Sequence, residues 1–157
     1  MEISIILLCL LFCAFFSGME IAFISSNKIY LEIEKKQDNF LSQTLTKLTE
    51  KPSKFIAAML IGNNIALVIY GFFMGDLLMS WITTLPYHFS DLSNLLLQTL
   101  ISTFIVLITA EFLPKVFFQI YANGVIKFFA VPAYIFYKLF YLISTFILWI
   151  SDFILKK

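Results

Sequence analysis

The 157-residue chain is 61% hydrophobic and 13% charged, with a mean hydropathy of +0.92, which leaves too little polar surface for a soluble domain of this length. Its composition identifies an all-α integral membrane protein. A formal net charge of +1 and the absence of arginine exclude a nucleic-acid partner, which would need clustered and bidentate phosphate contacts.

The first apolar run predicts a membrane span over about residues 3–26. It begins with Glu2 rather than a basic segment and has no small-x-small cleavage site after Ala14, so it reads as a retained span and not a cleaved signal peptide. Cys9 and Cys13 lie one helical turn apart without histidine neighbours, which suits apolar packing and neither a disulfide nor a metal site. Ser17 and Glu20 are three apart on one face of this helix, and Ser25 follows two turns later.

Residues 28–50 predict amphipathic juxtamembrane helix, with Ile29, Ile33 and Lys36 alternating against Glu32, Lys35 and Asn39, then Leu41, Leu45 and Leu48. A cytosolic helical hairpin under the bundle is the expected role. In Thr49-Glu50-Lys51-Pro52 the threonine hydroxyl is the expected cap of the next helix and the proline is tolerated in its first turn. A second span is predicted over about 55–80, interrupted by Gly62-Asn63-Asn64, with Gly62 loosening the helix and Gly71-x-x-x-Gly75 offering a close-packing face.

The loop around residues 83–91 holds no lysine, whereas Lys28, Lys35, Lys36, Lys47, Lys51 and Lys54 cluster before the second span; that bias places the N-terminus outside. Asp76, His88 and Asp91 near this outer loop read as solvated groups. The third span is predicted over about 94–119 and a further juxtamembrane region over 124–155. Within the latter, residues 128–150 are apolar enough to cross, yet a crossing would carry Lys156 and Lys157 outward and Pro132 interrupts it early, so a helix at or dipping into the inner interface is favoured.

The third span carries the most expensive group. A carboxylate within a membrane helix costs about 2.5–3.5 kcal/mol on insertion scales, so Glu111 reads as a functional site in need of a partner. Pro114 has no N–H and therefore breaks the ladder, freeing the carbonyl of Ala110 beside Glu111. Ser17, Asn63 and this pair lie at comparable depth from the lysine-rich side. A hydroxyl, an amide oxygen, a carbonyl and one carboxylate form an all-oxygen set that suits Mg2+, Ca2+ or Na+ and suits zinc or copper poorly. The alternative is interhelical hydrogen bonding alone, worth about 0.6 kcal/mol per contact. No Gly-x-Ser-x-Gly, His-Glu-x-x-His or phosphate-loop pattern supports an enzyme.

These residues also carry a resemblance. Phe16-Ser17-Gly18-Met19-Glu20-Ile21-Ala22-Phe23 resembles the first-helix signature of the CorC/cyclin-M magnesium transporters. Gly62-Asn63-Asn64-Ile65 is similar to their second-helix motif, and Glu111-Phe112-Leu113-Pro114-Lys115 to their Glu-x-x-Pro-Lys. Ser25-Ser26-Asn27-Lys28-Ile29-Tyr30 looks most like the gliding-motility-associated branch. The resemblance implies one transmembrane domain over 1–157, a homodimer in the bacterial inner membrane, and a dehydrated Mg2+ in each subunit exported against inward Na+. It assigns Ser17, Asn63 and Glu111 as ligands with backbone help near Gly62 and Ala110; Glu20, Asn64 and Ser25 are candidates for a secondary ion or gating role. Two departures stand out: Ala110 replaces a frequent glycine, and Ala66-Leu67 replaces a polar residue. Cytosolic nucleotide-binding CBS domains, usual after such a membrane domain, are absent from this chain. A membrane scaffold of a gliding or secretion apparatus, or an ion sensor without transport, are the alternative functions.

Overall fold

Apolar runs of this length have no water to satisfy their backbone and are left with the helix. The computed structural model describes residues 2–37, 39–84 and 90–155, and among them there is helix and no strand. His88, Lys156 and Lys157, used above in the loop and lysine-bias readings, lie outside the described residues.

Three helices are long and apolar enough to cross a membrane: α1 (Glu2–Ser25), α4 (Pro52–Ile82) and the continuous stretch Asp91–Ile120. The last comprises α5 (Asp91–Val106), a π-helical turn (Leu107–Phe112) and α6 (Leu113–Ile120). At about 1.5 Å per residue each exceeds a hydrocarbon core of about 30 Å. The expected three spans are therefore present.

α1 is the central element, packed along α4 and against the π turn and α6. On the lysine-rich side Phe16, Met19 and Ala22 of α1 share a core with Phe55, Ala58 and Met59 of α4. Towards the other side Ile6 and Cys9 pack with Tyr70, Met74 and Leu78. The third span is held differently, since Ala110 is its one buried residue. The Tyr70 hydroxyl donates to the Ser102 carbonyl at 3.0 Å, and Gln98 lies against Gly75, so α5 touches α4 through a few polar and small groups.

Between the first two spans the chain forms a helical hairpin, as the sequence suggested, from α2 (Lys28–Lys35) and α3 (Phe40–Glu50). Asn27 caps α2 by accepting from the Ile29 and Tyr30 N–H groups, and Asn39 caps α3 by accepting from that of Ser42. The face of α2 also differs from the alternating pattern. Leu31 and Glu34 are buried, whereas Ile29 and Ile33 are 71% and 59% exposed. The reason is a partner for the carboxylate: α7 (Ala122–Phe128) brings the Lys127 ammonium to Glu34 at 2.8 Å, and α2 rotates to meet it. Asn27 N–H donates to Asn123 Oδ1 at 2.9 Å, a second tie between the same helices. Thr49 does not cap α4, because its hydroxyl donates back to the Leu45 carbonyl at 2.9 Å; Pro52 does take the first turn.

The fourth apolar run is two helices, α8 (Ala130–Leu139) and α9 (Tyr141–Leu155), bent by 67°. At about 1.5 Å per residue neither limb alone crosses a core of about 30 Å. Lys54 at the start of α4 anchors the bend, donating to Thr145 Oγ1 at 3.0 Å and lying 4.6 Å from the Tyr141 ring centre. Lys47 covers Tyr134 of α8 in the same way, at 5.5 Å.

The Lys127 ammonium holds the Glu34 carboxyl below its ordinary range, and Glu34 in turn raises Lys127. Since the acid's value is lowered on folding, its contribution is present above the unfolded pKa of about 4.3 and fades as pH falls through the folded value. Since the lysine's is raised, its contribution is present below about 10.4 and fades as pH rises through the folded value. The melting difference between wild type and Glu34→Gln should thus be flat from pH 6 to 9 and shrink at both extremes; a difference that peaks within the plateau would contradict the pairing.

Candidate cation site

The site is built where α1, α4 and the π turn meet. On α1, Cys13 and Ser17 are one turn apart on the same buried face. The Ser17 hydroxyl donates to the Ala110 carbonyl at 2.9 Å, with both residues at 1% exposure or less. Cys13 approaches the Asn63 carbonyl of α4 at 3.9 Å and packs with Ala66 and Ala110. Ser17, Asn63 and Ala110, separately proposed from sequence, are thereby joined in one chain of contacts with Cys13 between them.

The side-chain oxygen of Asn63 is buried and has no hydrogen-bond partner. Such an acceptor costs about 1–3 kcal/mol when left unmet, and native proteins rarely leave one without a use. The Ser17 hydroxyl, its proton committed to Ala110, has its lone pairs left to accept. Ser17 and Asn63 thus each keep a side-chain oxygen able to accept.

Glu111 stands in the π turn, half-buried, next to Ala110. The expected break at Pro114 is corrected here. The Leu113 N–H bonds the Ile108 carbonyl, five residues back, the span continues through Pro114 into α6, and the Ala110 carbonyl accepts from the Ser17 hydroxyl. A widened turn thus absorbs the proline without ending the span, and π turns of this kind are frequent at functional sites. Glu20 is half-buried on α1 within electrostatic reach of Lys115 and Glu111.

Two glycines set how closely the three helices approach. A Cβ on Gly18 would lie 2.6 Å from the Phe118 ring of α6, and one on Gly62 would lie 2.7 Å from the Phe16 ring of α1. Gly62 thus does not loosen α4, which runs unbroken; it seats an aromatic ring beside Asn63.

Other predicted positions are elsewhere. Asn64 is exposed on the opposite flank of α4 from Asn63. Ser25 is exposed at the end of α1, beside a shallow depression that includes Gln119 and Asn123. Gly71 faces open space, and Gly75 meets Gln98 of the third span. Sequence reasoning missed the π turn and the part of Cys13, although the latter's position four residues before Ser17 was the available signal. Among the described residues no cluster of three or more His, Cys, Asp or Glu side chains exists.

Residues 4–157 match the family model of the cyclin M transmembrane N-terminal domain. The chain belongs to the cyclin M transmembrane-domain family. Among curated proteins it is similar to the UPF0053 inner membrane protein YfjD of Escherichia coli K12, 31% identical over 115 residues that cover 71% of this chain and 24% of that protein. It is also similar to a UPF0053 protein of Haemophilus influenzae, 28% identical over 121 residues that cover 77% of this chain and 27% of that protein. The chain spans about a quarter of the length of these relatives. Membership of the cyclin M family and three apolar crossing helices make it a multi-pass membrane protein.

The glycine sockets give a direct test in this cyclin M domain. Gly18→Ala and Gly62→Ala should each lower stability in detergent by about 1–3 kcal/mol through overpacking against an aromatic ring. Gly124→Ala, with nothing within 4 Å of its would-be Cβ, should cost far less, and equal melting losses in all three would refute the close-approach reading.

Proposed function

We propose that this chain is the membrane domain of a bacterial inner-membrane Mg2+ exporter, driven by inward Na+. The observation that carries the reading is the buried Asn63 side-chain oxygen, unpartnered among the described residues, on the residue whose backbone carbonyl meets Cys13 one turn from Ser17. In this reading Mg2+ is the cargo. It takes Glu111 as its charge partner, the Asn63 amide and Ser17 hydroxyl as neutral ligands, and backbone oxygen near Gly62 and Ala110, having shed most of its water. Mg2+ prefers oxygen ligands with one or two carboxylates among them, and the donor types of this set match that preference. Family membership supports ion transport, and the inner-membrane description of the E. coli relative supports the location. In this reading Glu20, half-buried on α1, is the second carboxylate and responds to the coupling Na+.

We also propose that the domain works as a homodimer through the outer flank of α4 and the third span. Asn64 is an exposed amide inside a span, where acyl chains offer no hydrogen bond, and Gly71 opens two turns further along the same flank. In the full-length protein, cytosolic CBS domains would follow; the matched relatives extend well beyond the aligned region.

Two measurements test the transport reading. Asn63→Leu removes the unmet acceptor, so the Mg2+-free protein should melt at the same temperature or higher while the rise on adding Mg2+ disappears; a retained rise would sink Asn63 as a ligand. In proteoliposomes under a Na+ gradient, Glu111→Gln should reduce Mg2+ flux tenfold or more. Undiminished flux would remove Glu111 from the pathway. Mg2+ binding without flux in the wild type would instead favour an ion sensor, and neither binding nor flux would favour a scaffold.

A further inference from the structure

A second feature lies away from the cation site, where the spans end on the lysine-rich side. The ends of α1 and α4 and one flank of α2 enclose a groove of about 300 Å³. Its wall is apolar, formed by Phe23 and Ile24 of α1, Leu31 of α2, and Pro52 and Ile56 of α4. Its polar lining is Ser26, Thr49, Lys28 and the Lys35–Glu32 pair. Ile24 is 58% exposed, so the wall continues onto the outward surface of α1.

We propose that this groove holds one anionic phospholipid, its phosphate at the Lys28 ammonium and an acyl chain along Ile24 and Ile56. Position is the first support. Ile24 is one residue from the end of α1 and Pro52 begins α4, so the groove sits where hydrocarbon gives way to headgroups. Charge is the second. Lys35 is held by Glu32 at 2.6 Å and remains on the rim, whereas Lys28 is exposed and has no ion pair among the described residues. The phosphate supplies its missing counter-charge. A zwitterionic lipid would bring its own cation to Lys28, and free phosphate would leave the apolar wall uncovered. The bilayer already holds the amphiphile that meets both demands.

The test is native mass spectrometry of the purified protein with added phosphatidylglycerol or phosphatidylcholine, alongside inorganic phosphate as competitor. Phosphatidylglycerol should be retained several-fold better than phosphatidylcholine and should resist the phosphate. Lys28→Gln should weaken its retention about fivefold, the worth of one lysine near an anionic surface. Ile56→Trp, which fills the groove with the charges intact, should weaken it as well. Lys36→Gln removes the same charge from a site outside the groove and should leave retention unchanged. Equal retention of both lipids, displacement by phosphate, or equal losses in the Lys28 and Lys36 variants would each overturn the proposal. Melting curves of the variants, expected to overlay that of the wild type, establish that any loss is of binding and not of fold.

Discussion

The hydrogen bond from Ser17 to the Ala110 carbonyl is the contact on which the arrangement of the three spans turns. Water is not available inside a bilayer, so an oxygen beside a widened turn must be met by another helix. Ser17 meets it, and Gly18 immediately afterwards lets the Phe118 ring of α6 close over the α1 backbone. One residue supplies polarity and the next supplies space. Between apolar helices in lipid there is little hydrophobic drive to associate, and close small-residue contacts with a few hydrogen bonds decide which faces meet. The third span, with Ala110 as its one buried residue, depends on this junction more than the other two do.

The juxtamembrane belt supports the same junction from outside. α2 follows α1 directly, and α7 follows α6 directly. The Glu34–Lys127 pair and the Asn27–Asn123 bond therefore tie together the chain ends of the two helices that make the Ser17–Ala110 contact. This also accounts for the unusual face of α2. Burying a carboxylate is costly unless it is paired, so the position of Lys127 dictates the rotation, and the isoleucines are left outward at the membrane boundary.

The three spans were legible because length and apolar content leave a backbone in lipid no other choice. The polar interruptions were legible for the complementary reason: each hydroxyl, amide or carboxylate in a span costs enough to demand a use. Rotation was less legible. Asn63 and Asn64 are neighbours in sequence but about 100° apart around a helix, and which of them turns inward is decided by packing, here by Phe16 seated on Gly62. Hydropathy also carries no record of hydrogen-bond register, so Pro114 predicted a break where the helix instead widened by one residue. The α2 pattern misled for a third reason, because periodicity assumes water on the polar side and protein on the other, and a helix at the membrane boundary has neither arrangement.

The room at the junction bears on how a cation would be handled. Cys13, Ala66 and Ala110 are all 6% exposed or less and pack small side chains together where the three spans meet. A fully hydrated divalent ion is larger than any gap such a junction offers, so a cation that binds here must exchange water for protein oxygen or part the helices first. The third span meets α1 through the Ser17–Ala110 hydrogen bond, the Phe118 ring over Gly18 and the packing of Ala110 and Val106, and meets α4 through Tyr70 and Gln98. α1 and α4, by contrast, share cores on both sides of the junction. Glu111 is thus carried by the third span, and the buried Asn63 side-chain oxygen by the span that shares both of these cores with α1.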